Sequence, residues 1–134
     1  KFYFFDIAIA RSLRNIPAPA LGTAEAGEYF EQLVCMELTA WIDYNHPRSR
    51  LSFWRSKSGL EVDFCVDEQL AVEVKLSSSI SEKHLKGLKA LREEGIFKRF
   101  VVVCQEEHPR IVDGIEILPW KYFFERLWAG EFLG

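Results

Sequence analysis

Residues 61–75, EVDFCVDEQLAVEVK, place acids and a base at spacings that suit metal-assisted chemistry. They read as two strands joined by Asp67, Glu68 and Gln69. Strand alternation puts Val62, Phe64 and Val66 on one face and Glu61, Asp63 and Cys65 on the other. The following strand sorts Val72, Val74 and Leu76 against Ala71, Glu73 and Lys75. The short loop pairs Val66 with Leu70, Phe64 with Val72 and Val62 with Val74, and a one-residue slip would mix the two faces. This register predicts Asp63 directly opposite Glu73.

Like charges in that position repel and destabilise a hairpin. A hard divalent cation with oxygen ligands is the natural species to lie between them. Lys75, two residues beyond Glu73 on the same face, is placed to orient a water or to steady negative charge. Glu31 lies one helical turn before Val34 and Cys35, so it borders an apolar stripe and is a third acid able to point at the sheet. A plainer reading competes. Glu-x-Lys is common on amphipathic strands, and Glu61 opposite Lys75 would make an ordinary cross-strand ion pair.

The elements that must position these residues follow from periodicity. KFYFF opens the chain as a strand or extended lead-in, a short helix follows near Asp6 to Leu13, and NIPAPALG is a loop. A long helix runs from about Ala24 to Tyr44, with Phe30, Leu33, Val34, Leu38 and Trp41 at helical spacing. NHPRSR ends it, and LSFWRS, LEVDFCV and LAVEVKL are three strands. Ser79-Ile80-Ser81-Glu82 has the form of a capping box, so a helix is predicted from about Ile80 to Gly95, burying Leu85, Leu88 and Leu91. FKRFVVVC reads as a strand buried on both faces, IEIL as a last strand, and WKYFFERLWAG as a closing amphipathic helix. The order predicts an α/β fold, a mixed sheet with helices against it.

A length of 134 residues suits one domain, and 49% hydrophobic with 28% charged residues excludes disorder. The apolar runs are too short to span a bilayer, and the chain opens on Lys1, so the expectation is one part of a longer protein. Cys35, Cys65 and Cys104 are widely spaced in apolar surroundings and read as reduced residues of a cytoplasmic protein. His46, His84 and His108 lack ligand spacing and read as surface residues. The net charge of −3 means that any nucleic-acid role must rest on a local patch, a metal or a partner. No phosphate-binding loop occurs in the sequence, so these residues do not form an ATPase.

Asp63 and Glu73-Val74-Lys75, with Glu31 upstream, resemble the motif of the PD-(D/E)xK nuclease superfamily, Val62 standing where that motif has proline. KFYFFD, GEYFEQLVCMEL, WRSKSGLEVDF, AVEVKLSSS and ILPWKYFFERL resemble more narrowly a C-terminal domain of unknown function carried by bacterial and archaeal AAA-type ATPases. The resemblance implies a restriction-endonuclease-like mixed sheet flanked by helices and an ATPase module upstream. It implies a Mg²⁺ or Mn²⁺ site held by Asp63, Glu73, the Val74 carbonyl and Glu31, with Lys75 acting on the attacking water. Arg55 and Lys57, leading into the motif, are candidates for phosphate contact, weighed against a plain solvated role. The expected function is hydrolysis of DNA or RNA phosphodiesters, with weak binding by this chain alone. The alternative is a non-catalytic interaction module serving the ATPase.

Overall fold

The computed structural model describes residues 23–133, so the predicted lead-in and first short helix lie outside the described residues. The long helix α1 spans Thr23–Asn45, and its stripe of Phe30, Leu33, Val34, Leu38 and Trp41 is buried as its spacing predicts. Strands β1 (Leu51–Arg55), β2 (Glu61–Val66) and β3 (Leu70–Val74) follow. A 3-10 turn over Glu82–Leu85 leads into α2 (Lys86–Arg92), then β4 (Arg99–Cys104), β5 (Arg110–Val112), β6 (Ile115–Pro119) and α3 (Trp120–Trp128).

The six strands form one mixed sheet in the order β1-β2-β3-β4-β6-β5. β1, β2 and β3 pair antiparallel, β3, β4 and β6 pair parallel, and β5 returns antiparallel on β6. The fold is α/β, with helices on both faces.

β4 explains its own continuous apolar run. Val101 and Val103 face α1 and α3, in a cluster with Val34, Leu38, Trp41, Phe123 and Leu127. Phe100, Val102 and Cys104 face the opposite cluster, with Ile80, Leu85, Leu88 and Leu91. A strand sandwiched this way has no solvent face to mark with polar residues.

Two sequence expectations are corrected here. The helix after β3 starts later than Ser79 predicts. Ile80 is a buried plug whose N–H donates to Glu106 Oε2 at 2.7 Å and whose carbonyl accepts from Arg110 Nη2 at 3.0 Å. With both backbone groups taken, the helical turn begins at Glu82, capped at Ser81, whose N–H donates to His84 Nδ1 at 3.0 Å. Strand β5 was not expected at all. Its signal is the Asp113-Gly114 pair before IEIL: both residues have positive φ, 52° and 78°, the conformation of a tight hairpin turn.

Candidate metal and phosphodiester site

The site begins with an irregularity in β2. Ser52 pairs with Cys65 and Trp54 with Val62, so β2 uses one residue more than β1 over this step. Asp63 and Phe64 together therefore oppose Phe53, as in a β-bulge. The bulge overturns the simple alternation expected for this strand. Phe64 and Val66 pack in the α1-side cluster, whereas Val62 packs on the α2 side with Cys65.

Toward β3 the predicted register holds, with Val66 against Leu70 and Phe64 against Val72. The ladder then stops, one step short of Asp63 and Glu73. β3 continues along β4 to Val74 opposite Val103, and β2 continues along β1 to Glu61 opposite Arg55. The two strands fork, and side chains take over the backbone's partners inside the fork. The Val74 N–H donates to Asp63 Oδ2 at 2.8 Å, and the Asp63 N–H donates to Glu73 Oε1 at 3.3 Å.

Lys75 Nζ lies 3.2 Å from Glu73 Oε2. Glu73 is the one charged residue buried among the described residues, at 7% exposure. Burial first, and the Asp63 carboxyl second, push its pKa up to about 8 against the opposing pull of Lys75. Burial also raises Asp63, and the hydrogen bond from Val74 offsets part of that rise. Both carboxyls therefore favour the protonated form more than exposed acids do.

Glu31 approaches from α1. It stays exposed, yet its pKa is raised, first by desolvation and then by Asp63, while Lys75 pulls the other way. Asp63, Glu73 and Lys75 are thus in direct contact, and Glu31 stands within electrostatic reach of both Asp63 and Lys75. Arg55 does not stand free: it pairs with Glu61 Oε2 at 2.7 Å, both side chains more than half exposed. Glu61 therefore takes Arg55 and Lys75 takes Glu73, which replaces the Glu61–Lys75 pair of the plainer reading. Lys57 lies exposed in the turn after β1. Sequence reasoning left His84 on the surface. Its Nδ1 is fixed by Ser81, and its pKa is held below the ordinary value by burial and then by Lys75, so it belongs to the rim of this site.

A family model described as "Domain of unknown function (DUF4143)" matches residues 26–123, from α1 through all six strands into α3. The chain belongs to the DUF4143 family. No curated protein and no solved structure matches it.

Whether this DUF4143 chain fits a divalent metal turns on its donor chemistry. Among the described residues no group of three or more His, Cys, Asp and Glu side chains lies close enough to hold a metal ion. Asp63 and Glu73 supply hard carboxylate oxygens at the fork, and the raised pKa of each marks a place where positive charge is wanted. Magnesium keeps several of its waters and often takes only one or two carboxylates from the protein, so the pair fits such an ion.

Proposed function

We propose that this domain is a Mg²⁺- or Mn²⁺-dependent hydrolase of nucleic-acid phosphodiester bonds, of the PD-(D/E)xK type, working beside an AAA-type ATPase in the cytoplasm. One observation carries the reading: Asp63 and Glu73 meet in the fork between β2 and β3, with Lys75 on Glu73. Asp63 and Glu73 would hold the ion, with the Val74 carbonyl and Glu31 completing or flanking the site. Bound there, the ion would supply Lewis acidity to a phosphoryl oxygen and make a nearby water more acidic.

The chain's own residues do the rest. Lys75, half exposed beside Glu73, can swing its ammonium from that carboxylate to a phosphoryl oxygen or to the attacking water. Asp63 Oδ2 is held by the Val74 N–H, which fixes one lone pair and leaves the remaining ones for the ion. Burial of Glu73 excludes water and strengthens every charge interaction at the fork. The cytoplasmic placement rests on three free thiols, two of them pushed up to about 11 by burial and so unreactive.

A second reading, a non-catalytic module that binds its ATPase, draws on the absence of a third close ligand among the described residues. Calorimetric titration with Mn²⁺ separates the two. The hydrolase reading expects saturable binding that Asp63→Ala removes, together with metal-dependent cleavage of at least one DNA or RNA substrate. Absence of both supports the module.

A further inference from the structure

Phe53 sits in the middle of edge strand β1 and is 71% exposed. Leu51 and Trp54 pack against the two core clusters, so the strand is well anchored and Phe53 is the large apolar residue it turns to solvent. The register sets Phe53 against the Asp63–Phe64 bulge, about 5 Å from the strand that carries Asp63. An aromatic ring is therefore displayed on the strand beside the one that carries Asp63, and it buries little.

Charge gathers on and beside the same strand. Residues 46–58, HPRSRLSFWRSKS, hold Arg48, Arg50, Arg55 and Lys57 with no acid, in a chain whose net charge is −3. Among the described residues Arg48, Arg50 and Lys57 have no ion-pair partner, and the exposed Arg55–Glu61 pair is of a kind that contributes little. Arg50 uses its backbone N–H, not its guanidinium, to meet Asp67. The other sheet edge also exposes an aliphatic residue, Ile111 at 70%, but the arginine beside it is bound to Glu106.

We propose that β1 is a docking strip for a single-stranded polynucleotide, with one unpaired base stacked on Phe53 and the backbone passing Arg55 toward the Asp63–Glu73 fork. The inference rests on the hydrolase reading and names its substrate class. A lone exposed ring stacks a free base and has nothing to offer the bases of a closed duplex. A few cations track a short length of phosphate, where duplex binding needs a broad basic face.

The test is fluorescence anisotropy of labelled oligothymidylate and oligouridylate at low salt with a chelator present, so that no strand is cut. Phe53 and Arg55 are exposed, and thermal melts will show both variants as stable as the wild type. Phe53→Ala should weaken binding roughly tenfold, the loss of one stacked base. Phe53→Trp should bind at least as well as wild type. Arg55→Gln should weaken binding and lower the salt slope by about 0.7, one phosphate contact on a single strand. Binding of either oligomer with this pattern supports the strip, the tighter one naming the sugar. Equal binding by wild type and Phe53→Ala, or no binding by wild type, overturns it, as does tighter binding of a duplex than of either single strand. Manganese affinity should be untouched by Phe53→Ala and lost in Asp63→Ala, so failure of the strip and failure of the metal site are read separately.

Discussion

The backbone N–H of Asp63 donates to Glu73 Oε1 at 3.3 Å, so the two acids are joined through a main-chain bond as well as by proximity. With the Val74 N–H on Asp63 Oδ2, the pair closes the fork that the β2–β3 ladder leaves open. Charge and hydrogen bonding at Asp63 should therefore separate on mutation. Asp63→Asn keeps an acceptor for Val74 and removes the repulsion, so the metal-free chain should be as stable as wild type or slightly more so. Asp63→Ala strands the Val74 donor in a buried place and should cost about 1–3 kcal/mol. Urea denaturation of the two variants checks the contrast, and a loss of several kcal/mol in Asp63→Asn would make the carboxylate a structural group.

The raised Glu73 pKa fixes a pH dependence. Between its ordinary 4.5 and about 8 the folded chain holds a proton that the unfolded chain releases. Stability of the metal-free protein is then fullest below 4.5 and falls as pH rises through about 8. The fall should be on the order of a few kcal/mol at most and should flatten in Glu73→Gln. Denaturation curves collected across that pH range give the answer. A wild type whose stability rises over the window, or a Glu73→Gln variant with the same slope, would remove the raised Glu73 pKa from the account.

Gly87 holds the far side of the site. A Cβ there would run into the Glu61 backbone carbonyl oxygen, so Gly87→Ala must push α2 off β2. The variant should lose about 1–3 kcal/mol, as overpacked sites do, and should weaken metal binding because β2 carries Asp63. Melting temperature and manganese titration together test this. An unchanged protein would mean that α2 can slide without cost.

With a net charge of −3 and basic residues scattered along the chain, plain duplex DNA should bind weakly at physiological salt. A gel-shift titration that gave tight duplex binding would require a basic surface beyond β1.

How far the sequence could be read depends on the kind of signal. The β2–β3 register was readable because pairing Phe64 with Val72 and Val66 with Leu70 keeps each apolar set together. The bulge at Asp63–Phe64 was not, since an extra residue leaves no mark in V-D-F-C-V, and it moved Val62 to the opposite face. The meeting of Asp63, Glu73 and Lys75 survived that error because the fork, and not the alternation, brings them together. Gly87 carries no mark of its role in the sequence, and only tertiary packing shows the close approach that requires it. The Arg55–Glu61 pair depends on the bulged register and so was out of reach as well.

The most direct measurement is metal-dependent cleavage by wild type, Asp63→Ala and Lys75→Ala on linear, supercoiled, single-stranded and branched DNA and on RNA, with and without the proposed AAA-type ATPase. The account predicts slow turnover that requires Mg²⁺ or Mn²⁺, lost in Lys75→Ala with manganese affinity kept, and lost in Asp63→Ala together with that affinity. Wild type and Lys75→Ala degrading every substrate at the same trace rate would contradict it.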